Sequence, residues 1–463
     1  MMPFHIVGIW IRGLISLAIP IVAIACLVRW YEESSRPVER VVLIRSEAAP
    51  NGGAPHTVVR ETREIQARSD QPGMDGSGPF RFEPGWNRAT AELAAAIALF
   101  TWAIAGASIA AGVESLLSAM GSSGSRTPRG VEVQGPDWLS GRGPIEADEP
   151  QSETPRSIRT GRIHRIRRPD GTELHVETYG PDDAPPIVLT HGWGANSDEW
   201  YYQKRHLAGR FRLIVWDLPG LGESTQPADR DFSLEKMAAD LEAVVDLAGG
   251  RPAVLVGHSI GGMILLTYSR LFAAGLGRKV AGLAIVHSSY KDPIQTVPMA
   301  WFYQMIRVPV IVPLLRLTIA FWPIVMLINW LSYANGSLLK STRSQSFAGP
   351  GTRQQADFLA RMMARARPDV LARGMFGMMA FDESATLPTI AIPTLVVIGD
   401  RDKTTAPEAG HHIADHVPGA HRVVFSPARH LGLFEYHGPF DQILADFTAS
   451  CTATTSATSV IAT

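Results

Sequence analysis

The chain has 463 residues, of which 46% are hydrophobic and 19% charged, and its formal net charge is −1. This length allows a large domain with accessories, the near-neutral charge argues against a nucleic-acid partner, and the composition is far from that of a disordered chain. The two cysteines, Cys26 in an apolar run and Cys451 near the end, leave no room for a disulfide framework or a cysteine metal cluster.

Residues 13–28, GLISLAIPIVAIACLV, carry no charge, and with Met2–Arg12 they are long enough to cross a bilayer. Arg12 would snorkel to one interface, and Arg29, Trp30 and Tyr31 would mark the other. No A-x-A cleavage site precedes the charged residues, so an uncleaved anchor is expected over 1–33. Residues 34–88 are polar and rich in Pro, Gly, Arg and Glu, apart from a VVLI run, and are expected to form a polar loop or small subdomain with little core. A second uncharged stretch, LAAAIALFTWAIAGASIAAGV, runs between Glu92 and Glu114, and its small residues, Gly106 and Ala110 among them, suit close helix packing. A second span is therefore expected over 89–118. Two spans would make a multi-pass membrane protein with the N-terminus and everything after residue 120 on the same side. The arginines beside the spans do not say which side that is. Residues 119–157 read as a flexible linker and 450–463 as a disordered tail.

From residue 161 the pattern changes. RIHRIR and TELHVETY flank Pro169-Asp170-Gly171, a hairpin signal. PIVLT (186–190) is a short buried strand ending in His191-Gly192-Trp193-Gly194. FRLIVWD (211–217) is a second, running into LPGLGES. SLEKMAADLEAVVDLAG has apolar residues at helical spacing, with Ser233 as N-cap. PAVLVG (252–257) is a third strand, GGMILLTYSRLFAAG a helix, and KVAGLAIVHSS (279–289) another strand. Strands alternating with helices predict a parallel sheet with helices on both faces.

The third strand leads into Gly257-His258-Ser259-Ile260-Gly261, which fits G-x-S-x-G. In a chain this rich in glycine and serine the pattern has little weight alone. Its context supplies the weight: a tight strand-to-helix turn strains the backbone at the serine and needs small neighbours two residues away, here Gly257 and Gly261. A serine nucleophile also needs a base and an orienting acid. IPTLVVIGDRD (392–402) reads as a strand ending in acidic residues, and AHRVVFSPARHLGLFE (420–435) as a strand followed by His430. The order is Ser, Asp, His.

The blocks HGWG, DLPGLGES, GHSIGG, GDRD and RHLGLFE, in this order across about 161–449, resemble those of the α/β-hydrolase superfamily. The resemblance implies an α/β-hydrolase core over 158–289 and 389–449, with a helical, apolar cap inserted at 290–388. It implies Ser259 as nucleophile and His430 as general base. Asp402 is the implied acid, because Gly399 stands three residues before it as in the family's G-x-x-D; Asp400 and Asp292 are the other options. The backbone N–H groups of Trp193 and Ile260 would form the oxyanion hole, with no cofactor and no metal. His258 is expected to turn away from the serine, His191 to brace the oxyanion loop, Asp217 to hold a turn, and Glu435 to be structural. His411, His412 and His416 fall on a helix and read as surface residues rather than metal ligands.

Within the cap, residues 299–333 are strongly apolar, with only Arg307 and Arg316 charged. Two readings stand: cap helices packed on one another, or a lipophilic lid open to lipid or an acyl chain. Pro309, Pro313 and Pro323 are expected to break the stretch into short helices. Trp301, Trp322, Trp330, Tyr303 and Tyr333 suit a lipid interface. TRQQADFLARMMARARPDV and the residues after it read as amphipathic helices completing the cap. The chain is thus expected to be a membrane-anchored, lipase-like serine esterase. Its partners would be the bilayer and a small-molecule or lipid ester, such as a monoacylglycerol or lysolipid. Nothing in the sequence fixes its oligomeric state. Two alternatives are kept: a cofactor-free haloperoxidase, perhydrolase or acyltransferase on the same fold, and a non-catalytic binding module on a membrane tether.

Overall fold

A computed structural model describes residues 3–35, 38–45, 59–66, 91–103, 106, 130–134, 161–297, 299–348 and 351–461. The chain divides into two units, Ile15–Gly106 and Met1–Leu14 with Ala107–Thr463.

In the smaller unit, helix α1 (Pro3–Ser35) continues from residue 15. Strands β1 (Val38–Arg45) and β2 (Val59–Gln66) pair antiparallel in the register Val38 to Gln66 through Arg45 to Val59, so the polar segment 34–88 contains a hairpin. An apolar helix α2 covers Ala91–Ala103. Both helices turn apolar side chains outward, including Ile21, Val22, Ile24 and Val28 on α1 and Ile97 and Trp102 on α2. Their apolar stretches, Ser16–Tyr31 and Ala91–Ala103, are each under 18 residues. Most of the remainder of the expected second span, 104–105 and 107–118, lies outside the described residues.

The larger unit is built on a nine-stranded sheet in the order β3-β11-β10-β9-β8-β6-β7-β5-β4. In chain order these are β3 (Gly130–Gln134), β4 (Arg162–Arg167), β5 (Glu173–Tyr179), β6 (Pro186–Thr190), β7 (Arg212–Trp216), β8 (Ala253–His258), β9 (Val280–Val286), β10 (Thr394–Gly399) and β11 (His421–Ser426). Strands β7, β6, β8, β9, β10 and β11 run parallel, and β3, β4 and β5 join antiparallel at the edges. β6, β8, β9 and β10 are buried along their whole length, which is why they read as apolar runs without alternation. Alternate residues nonetheless serve opposite faces. Val188, Ile214 and Leu255 enter one buried cluster, and Ile187, Leu189, Leu213, Val254 and Val256 the other.

The core helices are α3 (Tyr201–Leu207), α4 (Leu234–Val245) and α5 (Ile260–Leu271). The insertion after β9 supplies α6 (Pro293–Thr296), α7 (Ala300–Ile306), α8 (Val312–Ala320), α9 (Trp322–Ala334), α10 (Ser337–Ser346), α11 (Arg353–Arg365) and α12 (Pro368–Met379). The chain then returns through α13 (Pro407–His416), α14 (Gly432–Glu435) and α15 (His437–Ile461). The first residues of α1 pack on the cap: the Trp10 indole donates to Thr318 Oγ1 at 3.3 Å, and Gly13 lies so close to Ile328 that a Cβ would stand 2.5 Å from it.

Three expectations are corrected. The segment 119–157, read as a linker, contributes β3, whose G-V-E-V-Q pairs with β11 from Arg422 to Ser426 and covers that edge of the sheet. The tail 450–463 continues α15 as far as Ile461; Cys451 is buried against Gly282, and adding residues to an already packed helix avoids the cost of nucleation even through serines and threonines. Pro309 and Pro313 do not break the cap. Arg307–Ile311 forms a turn of π-helix that absorbs Pro309, and Pro313 stands in the first turn of α8, where its missing N–H costs little. Ala300–Ala320 is consequently one apolar helical run of 21 residues, the only helix among the described residues long and apolar enough to cross a membrane. The chain turns at Phe321, and Pro323 opens α9.

Trp216 ends β7 fully buried, its indole donating to Thr190 Oγ1 at 3.0 Å. Trp216→Ala is expected to lower the unfolding free energy by about 3–5 kcal/mol in urea denaturation.

Candidate active site

The loops after β6, β8, β10 and β11 meet at the C-terminal edge of the sheet, where open α/β sheets gather ligands. Ser259 sits between β8 and α5 with φ 55 and ψ −117, a left-handed backbone that a non-glycine residue holds only when its surroundings enforce it. Those surroundings are specific. The Ser259 N–H donates to Val286 O at 2.9 Å, and Ser288 Oγ donates to Ser259 O at 2.6 Å, fixing the turn to β9. A Cβ on Gly257 would stand 2.3 Å from the Gly261 carbonyl carbon, and one on Gly261 would stand 2.4 Å from Thr190 O. Both glycines of the motif are therefore required by backbone approach.

His430 Nδ1 lies 2.8 Å from Asp402 Oδ2. The other partners of this buried carboxylate are the N–H groups of Thr404 and Thr405 and the Thr405 hydroxyl. Burial pushes the Asp402 pKa up, but the charge and hydrogen bond of His430 hold it below the usual carboxylate value. Burial holds the His430 imidazole below its ordinary value, against the pull of Asp402. Asp400, the alternative acid, instead accepts from Ser426 Oγ and the Ala428 N–H, and Asp292 caps α6 and pairs with Arg307. Neither hydrogen-bonds to His430.

Ser259 and His430 open onto one cavity of about 560 Å³, measured out to its open mouth. Apolar side chains supply much of its wall: Leu359, Met362 and Met363 from α11, with Leu431 and Trp193. The Thr352–Gln355 capping box starts α11 and so aims this face. Trp193 lines the cavity while its indole donates to Leu371 O at 3.1 Å, hooking the loop after β6 to the cap. Ile260 is the first residue of α5, where helical N–H groups have no intrahelical acceptor.

The side chains expected to be structural are all engaged. His191 Nε2 accepts the Leu218 N–H at 2.9 Å, so its Nδ1–H is the donor to Gly192 O. Asp217 accepts from the N–H groups of Ser197 and Glu223. Glu435 accepts from the N–H groups of Ala348 and Arg429, tying the His430 loop to the cap. His412 and His416 stack on each other along α13. His206, His437 and Asp441 bring possible ligand atoms within 4.8 Å, but Asp441 is already bonded to Gln203 and His206.

A family model described as alpha/beta hydrolase fold matches residues 185–322. This chain has the α/β-hydrolase fold. It is 26% identical over 279 residues to a putative carbamate hydrolase, RutD, of Stutzerimonas stutzeri, an alignment covering 60% of this chain and 97% of that protein. It is 42% identical over 94 residues to a bifunctional esterase/perhydrolase of Acinetobacter calcoaceticus, covering 20% of this chain and 34% of that one. An esterase from Exiguobacterium antarcticum superposes with a TM-score of 0.51 at 22% identity, over 62% of this chain and 98% of its own. The α/β-hydrolase relatives of this chain thus include esterases, other hydrolases and haloperoxidases.

Two residues of the site went unread in the sequence. Thr405 bonds Asp402 and also lies 3.3 Å from His430 Nδ1. Glu199 is fully buried and bonded to the Gly192 N–H and to His258. No local motif marks either one.

Gly261→Ala is expected to push the Thr190 carbonyl aside, costing about 1–3 kcal/mol of stability. Labelling of Ser259 by a fluorophosphonate should fall at least tenfold while the folded state persists by circular dichroism.

Proposed function

We propose that the chain is a membrane-anchored serine hydrolase that cleaves lipophilic carboxylic esters, of the monoacylglycerol or lysolipid kind, through Ser259, His430 and Asp402. The observation that carries this is the strained serine and the Asp402-bonded imidazole opening onto one apolar-walled cavity. In this reading Ser259 Oγ attacks the ester carbonyl carbon and its proton passes to His430 Nε2. The oxyanion is held by the N–H groups of Trp193 and Ile260. Collapse expels the alcohol, which takes its proton from His430. Water, deprotonated by His430, then releases the acid from the acyl-enzyme, while Asp402 keeps the imidazole oriented. No step calls for a cofactor.

Membrane anchoring is supported by the apolar outer faces of α1 and α2 and by the cap. Along Ala300–Ala320 and α9, Trp301, Val308, Phe321, Ile324, Leu327 and Trp330 are exposed, an arrangement suited to the interface of a bilayer that supplies the substrate. The two-span arrangement, with the catalytic domain on the N-terminal side, belongs to the same proposal. The match to an esterase/perhydrolase favours one second reading, attack of peroxide instead of water on the acyl-enzyme. Peracid formation with hydrogen peroxide present would distinguish it from simple hydrolysis.

Ser259→Ala should lower ester hydrolysis about a thousandfold or more. Across esters of increasing acyl length, wild-type kcat/KM should rise; a preference for short soluble esters would remove the lipophilic substrate from this reading. Val308→Asp with Trp330→Asp should reduce turnover of monoacylglycerol in vesicles several-fold more than turnover of a short soluble ester. Equal loss on both substrates would count against the cap meeting the bilayer.

A further inference from the structure

His258, the residue before the nucleophile, sits in a web of buried polar groups that the proposed reaction does not use. It is 2% exposed, and Glu199 is 1% exposed. Glu199 Oε2 accepts the Gly192 N–H at 2.7 Å, and its Oε1 lies 2.9 Å from His258 Nδ1. His258 Nε2 lies 3.0 Å from the backbone oxygen of His430. A carbonyl oxygen can only accept, so Nε2 carries a hydrogen. An ionised carboxylate at Nδ1 accepts as well, so that nitrogen also carries a hydrogen and the ring is an imidazolium. The shifts of both groups agree with this. Burial pushes the Glu199 pKa up but His258 draws it below the usual range, and Glu199 draws His258 above its ordinary value against the effect of burial. The contact is tight enough to exclude any side chain at residue 192, where a Cβ would stand 2.8 Å from His258 Nδ1.

We infer that Glu199 and His258 are positioning residues, a buried carboxylate–imidazolium pair that locks the oxyanion loop, the serine turn and the His430 loop in one register and sets a positive charge beside the base. The inference rests on the triad reading above. The rings of His258 and His430 lie 4.9 Å apart, centre to centre, whereas Glu199 bonds Nδ1, the nitrogen that does not face the His430 carbonyl. The charge therefore disfavours a second cation on His430 and keeps the base neutral to lower pH. The titratable groups around His258 are Glu199, His191, His287, Asp402 and His430. His191 is neutral by its hydrogen bonds, and His287, held at about 3 by burial, is neutral as well. Asp402 acts on His430 equally with or without the pair. His258 is the cation of this group.

The test is the rate at which a fluorophosphonate labels Ser259 in the full-length protein between about pH 5 and 9, a rate that follows the neutral fraction of His430. Glu199→Gln is nearly isosteric. Its amide can still accept from Gly192 and donate to His258 Nδ1, leaving a neutral ring that still donates to the His430 carbonyl. The acid limb is expected to move up by about one pH unit, so that labelling on that limb falls about tenfold. Glu199→Asp, which keeps the charge, should hold the limb on the wild-type side while lowering the plateau. If Glu199→Gln proves unfolded by its thermal melt, His258→Gln, which keeps a donor without the charge, carries the same test. An unmoved limb in a folded, neutralised variant would overturn this inference and leave the triad reading intact. Absence of Ser259-dependent labelling in the wild type would overturn both.

Discussion

The site depends on one close approach, that of strand β8 to the start of helix α5 across Ser259. With Gly257 against the Gly261 carbonyl group and Gly261 against the Thr190 carbonyl oxygen, the chain has space for the turn only because both positions lack a Cβ. The turn is held in a left-handed conformation by bonds to Val286, the last residue of β9, and to Ser288 just beyond it. The strain at Ser259 is maintained by the buried parallel sheet around it, whose central strands have both faces covered. The loops of β6, β10 and β11 then need only reach the same edge to bring Trp193, Asp402 and His430 to the serine.

The cap gives this frame its chemical character. Its inner side presents α11, whose leucine and methionines wall the cavity in front of Ser259. Its outer side leaves large apolar groups from α7 through α9 exposed, Trp301, Val308, Leu317, Ile324, Leu327 and Trp330 among them. Hydrogen bonds cross from the cap to the loops that follow β6 and β11, through Trp193 to Leu371 and through Glu435 to Ala348. A shift of the cap would therefore be felt at both loops.

Much of the core was legible in the sequence because its signals are local. Buried parallel strands are continuous apolar runs, Ser233 and its bond to the Lys236 N–H start a helix, and G-x-S-x-G between a strand and a helix has a mechanical meaning. The order Ser, Asp, His was legible too, and the fold brings His430 to Asp402 and to the cavity that Ser259 lines. Features that depend on distant partners were not. β3 is a five-residue edge strand inside Gly- and Pro-rich text, and it exists by pairing with β11, far along the chain. Pro309 looks like a helix breaker until a π-turn absorbs it. Glu199 reads as one acid among others in DEWYYQ, and its burial follows only from the fold that brings it to His258, 59 residues away. The same fold buries His258 between Glu199 and the His430 carbonyl, a setting that its place beside the serine does not announce.

In the proposed reaction Ser259 carries the acyl group of the ester through each turnover. Intact-protein mass spectrometry after rapid acid quenching of the enzyme with a slowly deacylated long-chain ester tests it most directly. One added acyl mass is expected that maps to the peptide holding Ser259, is absent from Ser259→Ala, and accumulates when His430 is replaced only at a greatly reduced rate. Ester turnover with no acyl adduct at any quench time, or an adduct that survives Ser259→Ala, would contradict it.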